Sequence, residues 1–214
     1  MRTARKEDLH ELASVIADSF KPAKGIVRWF YPLFRLGIYE DLRHRLHSSG
    51  THYVCFVATE TCYLSRSDVK LASGVAGSLL GTVEMALRSP HLLQLEKKTQ
   101  YPYLSNLAVC NKYRRQGIAK QLMVACEKVA MRWGFKDLYL HVLENNQPAK
   151  RAYLKMGYQL CRFEPGLGSY FFRRPRKMLL HKHLSFPDRE LNAAHFDTHH
   201  FPDKKAAALQ VESY

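Results

Sequence analysis

The chain has 214 residues, 46% apolar and 24% charged, a balance that fits one compact domain with a real core and excludes a disordered or fibrous chain. No run of 18 apolar residues occurs, since even Gly74–Leu87 is broken by Ser78, Thr82 and Glu84, so neither a membrane span nor a membrane partner is expected. The net charge of +14, from 33 Lys and Arg against 19 Asp and Glu, favours an anionic partner without naming it: nucleic acid, an anionic surface and a phosphorylated cofactor all satisfy it.

The N-terminus lacks the apolar stretch of a secretory signal and runs straight into a helical pattern. Over Glu7–Phe20 the residues Leu9, Leu12, Ala13, Ile16, Ala17 and Phe20 recur at helical spacing on one face. Ile26–Arg45, with Trp29, Phe30, Tyr31, Phe34 and Tyr39, predicts a second helix broken at Pro32 and Gly37. Tyr53–Thr59 is a strand by its β-branched and aromatic content, and Leu80–Leu87 a second one after a long irregular hairpin loop carrying Gly74 and Gly77. A polar, mobile loop over Arg88–Gln100 leads to a third strand, Tyr101–Cys110. Arg115–Trp133 is the longest helix, its buried stripe being Ile118, Leu122, Cys126, Val129 and Trp133. Asp137–Leu143 is a strand, Gln147–Met156 a short helix, and Tyr158–Phe163 and Met178–Leu184 are the last strands.

This order predicts an α/β (α+β) fold, a twisted mixed sheet with helices on both faces, occupying residues 1–184. From Ser185 the apolar periodicity fades, so 185–214 is expected to be a poorly ordered tail. The tail carries 3 basic and 5 acidic residues, which leaves 30 against 14, or +16, on the rest. The cysteines are Cys55, Cys62, Cys110, Cys126 and Cys161. Their odd number and the lack of any Cys-x-x-Cys pair predict thiols in a reducing compartment, with no disulfide framework and no metal site.

The third strand is followed by Asn111-Lys112-Tyr113-Arg114-Arg115-Gln116-Gly117-Ile118-Ala119-Lys120 and then the long helix. The first turn of a helix holds N–H groups without an intrahelical partner at the positive end of its dipole, a geometry that suits phosphate oxygens. Gly117 removes a Cβ from the approach, and Lys112, Arg114, Arg115 and Lys120 add charge around it. No Gly-Lys-Ser/Thr follows and no three-glycine fingerprint is present, so the spacing predicts an anion at a helix start and does not say which.

Tyr103–Tyr158 resembles the core of the GNAT superfamily of N-acetyltransferases. The family's cofactor loop, Gln/Arg-x-x-Gly-x-Gly/Ala, is matched by Arg114, Gly117 and Ala119, and its downstream motif by Asn146, Ala149, Tyr153, Gly157 and Tyr158. Leu36–Leu42 and Ser105–Val109 are similar to the cyanobacterial and plastid branch, which acetylates protein N-termini and lysines. The resemblance implies a GNAT fold of about six or seven strands, splayed at the centre. It implies acetyl-CoA as co-substrate, with Leu107, Ala108 and Val109 offering backbone groups to pantetheine. Pyrophosphate would be held by Arg114, Arg115, Gln116, Gly117, Ile118, Ala119 and Lys120. Asn146, Gln147 and Pro148 would brace the second half, with Lys150 and Arg151 either near the outer phosphates or on a solvated face.

In such an enzyme the acetyl group passes directly to an amine in a ternary complex. The resemblance implies Tyr153 as general acid toward the cofactor sulfur and the main chain near Val109 as oxyanion donor. Candidates for the base are His141, which shares a strand face with Tyr139, and Glu84, a carboxylate in an apolar strand that could equally face solvent on an edge. Tyr103 and His141 match a Tyr/His pair in one branch of protein N-terminal acetyltransferases, with Tyr103 shaping the amine pocket or holding a water. The acceptor is expected to be a protein or peptide amine, with the aromatic segments Trp29–Tyr39 and Gly166–Pro175 suited to a peptide. The alternatives are a small-molecule amine, or a non-catalytic acetyl-CoA- or nucleic-acid-binding protein. The expected location is cytoplasm in a cyanobacterium, or plastid stroma if a transit segment was removed.

Overall fold

Along Tyr53–Thr59 the side chains alternate between two cores, the pattern of a strand covered on both faces. The computed structural model describes residues 1–19, 27–48, 50, 52–60, 78–89, 100–164 and 175–185. Its strands are β1 (Arg2–Thr3), β2 (Tyr53–Thr59), β3 (Leu79–Arg88), β4 (Tyr101–Val109), β5 (Asp137–Leu143), β6 (Gln159–Glu164) and β7 (Lys177–His183). They form one sheet in the order β1-β2-β3-β4-β5-β7-β6, antiparallel throughout except between β4 and β5. The helices are α1 (Leu9–Ser19), α2 (Val27–Ser48), α3 (Ile118–Arg132) and α4 (Gln147–Lys155).

Val54, Phe56 and Ala58 of β2 pack with Val83, Met85 and Leu104 against Leu122, Met123 and Cys126 of α3. Cys55 and Val57 face the other way, onto Leu9, Leu12 and Ile16 of α1 and Leu42 of α2. Burying a side chain such as Leu12 or Leu122 completely is worth about 1.5–3 kcal/mol, so each helix is fixed to its face by several such residues. The observed α1 stripe adds Val15 to the predicted set. β1 was not anticipated. It is held by Ala4 N–H on the Cys55 carbonyl and by the Arg2–Asp8 ion pair at 2.6 Å, neither of which a two-residue strand signals locally.

Two elements differ from expectation. α2 is one continuous helix through Pro32 and Gly37. Pro32 removes a single ladder hydrogen bond on an exposed face, and Leu42 and Arg45 further along anchor the helix to the sheet. α3 begins at Ile118, three residues later than expected, because Arg115 and Gly117 adopt left-handed backbone conformations (φ +67° and +82°) that a helix cannot include. No helix of the described residues is long and apolar enough to cross a membrane. The hairpin loop over 61–77, most of the 88–100 loop, residues 165–174 and the tail beyond Ser185 lie outside the described residues.

Gly37 sits in the interior of α2 on its exposed side, and a Cβ there would meet nothing within 4 Å. Gly37→Ala should therefore stabilise the protein by about 0.5–1 kcal/mol through helix propensity alone. A thermal melt checks this, and an unchanged or lowered Tm would show that the position serves something other than the helix.

Candidate active site

The parallel pairing of β4 with β5 is confined to Tyr103↔Tyr139 and Leu104↔Leu140. Beyond these pairs the strands part, so the later residues of β4, including Leu107, Ala108 and Val109, have no β5 partner. On its other edge β4 bulges against β3: the pairing steps from Thr82↔Ala108 to Glu84↔Ser105, with Asn106 at φ +50°. The bulge breaks the alternation, and Ser105 and Asn106 consecutively line the same cleft. Closer to the mouth, a Cβ on Gly81 would come within 2.8 Å of the Ala108 carbonyl, so the close approach of β3 to β4 there requires glycine.

The loop between β4 and α3 turns through a short 3-10 segment, Asn111–Tyr113. Arg114 Nε then donates to the Val109 carbonyl at 3.2 Å, tying the loop back to the strand end. Gly117 caps α3, its carbonyl accepting from Gln121 N–H at 3.0 Å, and nothing lies within 4 Å of where its Cβ would be. The N–H groups of Ile118, Ala119 and Lys120 are those the helix leaves without an internal acceptor. Arg114, Arg115, Gln116 and Lys120 are exposed around them. On the far side of the gap Asn146 caps α4, its Oδ1 accepting from Ala149 N–H at 3.3 Å, with Gln147 and Pro148 exposed in the first turn. The cradle thus offers backbone donors, cations, and a strand edge open to amides, which fits a long ligand bearing a pyrophosphate.

Tyr153 of α4 is buried in the core on the α3 side, and burial pushes its hydroxyl up to about 12. The Tyr103 phenol adds a smaller push in the same direction. Tyr103 and His141 belong to the opposite face. The Tyr103 hydroxyl lies 2.8 Å from His141 Nδ1. His141 Nε2 stands 2.9 Å from Glu164 Oε2, an ion-pair distance but off the hydrogen-bonding direction. Burial lowers the His141 pKa below its usual 6.5 against the pull of Glu164, with Lys177 and Arg88 adding to the depression, so the ring is neutral at neutral pH. Burial likewise raises Tyr103, keeping its hydroxyl protonated.

Glu84 does not face solvent on an edge. It lies in the central strand β3 at 1% exposure. Its Oε2 accepts from Arg45 at 2.6 Å and its Oε1 from Asn106 Nδ2 at 2.9 Å, while Arg45 also holds Asp41. Burial raises its pKa, with Arg45 and then Asn106 working against the rise. Each oxygen thus holds a partner, and the buried carboxylate ties α2 to the β4 bulge. Beside this network lies a cleft of about 440 Å³, lined by Ile16, Ile38, Asp41 and Arg45 from the helices and by Arg88, Ser105 and Asn106 from the strands.

Four residues of this region escape sequence reading: Glu164, Arg45, Asn106 and Arg88. Glu164 reaches His141 from β6, across the intervening β7, so no pairing pattern links them. The aromatic segment Gly166–Pro175 that was expected to line the acceptor groove falls almost wholly outside the described residues, as does the side chain of Trp29.

Residues 25–158 match the model of the Acetyltransferase (GNAT) family, more than half of the chain. The chain belongs to the GNAT family. It is an N-acetyltransferase, and acetyl-CoA is its acyl donor. Among curated proteins it is similar to GCN5-related N-acetyltransferase 10, chloroplastic, of Arabidopsis thaliana, at 28% identity over 84% of this chain and 69% of that one. Among solved structures it is similar to Arabidopsis thaliana NAA60 in complex with a bisubstrate analogue (TM-score 0.59, 20% identity, 86% of this chain and 98% of that one), a protein also solved with acetyl-CoA. It is equally similar to the ribosomal-protein-alanine N-acetyltransferase of Brucella melitensis (TM-score 0.59, 17% identity, covering 86% and 98%). At these identities the structural likeness speaks for the GNAT fold.

Proposed function

We propose that this GNAT enzyme acetylates protein amines, foremost N-terminal α-amines and secondarily lysine side chains. The observation that carries the reading is the Tyr103–His141 pair, 2.8 Å apart and set on the face of the sheet opposite Tyr153. Acceptor and donor then approach from opposite faces and meet where β4 and β5 part. The acceptor side is a cleft of about 440 Å³ whose rim carries the exposed Asp41 and Arg88, so a chain can enter by one end and leave its remainder in solvent. The alanine acetyltransferase among the structural neighbours acts on a protein, which agrees with this reading. The plastid stroma is the proposed location, after the chloroplastic relative.

The cradle of Arg114–Lys120 holds the pyrophosphate of acetyl-CoA, and the free edge at Leu107–Val109 pairs with its amides. An N–H near Val109 faces the developing oxyanion. The α-amine, with a pKa of about 8, must shed a proton before attack. Neutral His141 takes that proton: as the amine's proton moves, directly or through a water, to the Tyr103 oxygen, the Tyr103 proton passes to Nδ1. Glu164 beside Nε2 then stabilises the imidazolium. Tyr153 donates to the departing thiolate. Glu84 is assigned to positioning the bulge and takes no part in proton transfer.

A pH–rate comparison tests this assignment on a peptide with a free N-terminus. In wild type kcat/KM should fall on an acidic limb below about pH 6.5, where the lowered His141 pKa brings protonation. His141→Ala should remove that limb and lower the rate by about 100-fold, while Glu84→Gln should retain the limb. Loss of the limb in Glu84→Gln alone would make Glu84 the base. Acetylation of free amines but of no peptide would move the acceptor to small molecules.

A further inference from the structure

Two arginines border the acceptor cleft, and they stand in different electrostatic states. Arg45 is engaged by two carboxylates, Glu84 at 2.6 Å and Asp41. Arg88, at the end of β3, is exposed and has no carboxylate partner among the described residues. What it does have is the Tyr103 ring, over which its guanidinium lies at 3.7 Å. Stacking on a ring fixes the plane of a guanidinium while leaving its N–H edge open, the arrangement that receives a carboxylate through two parallel hydrogen bonds. The same ring carries the hydroxyl that lies 2.8 Å from His141 Nδ1. An anion held by Arg88 is therefore only one aromatic ring from the atoms that take the amine's proton.

We infer that Arg88 is a carboxylate subsite of the acceptor cleft, selecting chains with Asp or Glu within the first two residues of the accepted amine. The inference rests on the protein-amine reading above and narrows it. A residue spans about 3.5 Å of extended chain, so only the first or second side chain can reach Arg88 while the amine stands at Tyr103. A Lys or Arg there meets an uncompensated like charge and is disfavoured. Asp41, the cleft's exposed carboxylate, is already held by Arg45 and offers that cation little compensation.

The test uses the whole chain and acetyl-CoA with peptides that differ only at the first or the second residue, carrying Glu, Gln or Lys there. In wild type kcat/KM for the Glu peptide should exceed that for its Gln partner by about tenfold, the scale of one charge-assisted hydrogen bond, and the Lys peptide should be poorest. Arg88→Gln should bring the Glu-to-Gln ratio close to one, and Arg88→Glu should reverse the order of Glu and Lys. Because each ratio is taken within one variant, a general loss of activity or of folded protein does not disturb it. A wild-type ratio near one, with the Gln peptide still acetylated, overturns the inference and leaves the protein-amine reading intact. A tenfold preference that survives in Arg88→Gln also overturns it, by moving the subsite elsewhere. Failure to acetylate any peptide overturns both readings together.

Discussion

Tyr153→Phe is expected to lower kcat on the order of 100-fold while leaving the affinity for acetyl-CoA within about twofold. The ring is buried in the core against Tyr158, so Phe keeps the packing and removes only the oxygen. Burial holds the hydroxyl at about 12, well above a free thiol near 8.5. A phenol that weak remains protonated through the working range, and in the proposed acid role it would donate a hydrogen bond to the growing thiolate and release its proton late. The loss therefore falls on the transition state, where the sulfur is anionic, and spares the ground state, where the thioester sulfur accepts poorly. Steady-state kinetics beside a direct measurement of acetyl-CoA binding separates the two. Near-normal kcat, or an equal loss in binding, removes Tyr153 from the acid role.

Arg45→Met should destabilise the fold by about 3 kcal/mol, because it leaves the Glu84 carboxylate buried with no cation against it. For a chain of this size that is roughly 8 °C in Tm. The pH dependence identifies the cause. Glu84 already has a raised pKa in the folded protein, and loss of Arg45, the largest influence opposing burial, raises it further. A folded-state pKa above the unfolded value contributes stability that is complete below the unfolded carboxylate pKa and is lost as pH rises through the folded one. The Tm deficit against wild type should therefore be smallest near pH 4.5 and grow toward pH 7. A deficit equal at both pH values would trace the loss to packing of the arginine stem instead of to the buried charge.

The parts of the molecule visible in the sequence are those whose signal is local. The β-branched and aromatic content of Tyr53–Thr59 and the pattern of Asp137–Leu143 gave strand bounds that the structure keeps, and the glycine before Ile118 marked the start of α3. The errors arise where one residue's conformation overrules a pattern. Arg115, a good helix former by type, is left-handed, and Pro32, a breaker by type, lies inside a helix whose anchoring lies elsewhere. The acceptor side was legible only in part. Tyr103 and His141 could be named by resemblance, but Glu164 and Arg88 reach them from other strands, and the burial of Glu84 under Arg45 was not visible at all. Which group is free and which is spent depends on contacts between residues 39 positions apart, and no spacing rule encodes that.

The two pairs joining β4 to β5 are all that links the strand ladder of the N-terminal half to that of the C-terminal half. Each half carries its own antiparallel ladder, so the sheet is built as two leaves on a narrow spine. Leaves so joined can breathe at little cost in hydrogen bonds, as cooperative units of a native protein do. A ligand that lies along the gap and bonds to the β4 edge acts as a clasp, and by mass action it makes the closed leaves more stable in proportion to its concentration. With acetyl-CoA placed as proposed, the chain should be firmest where that donor is abundant.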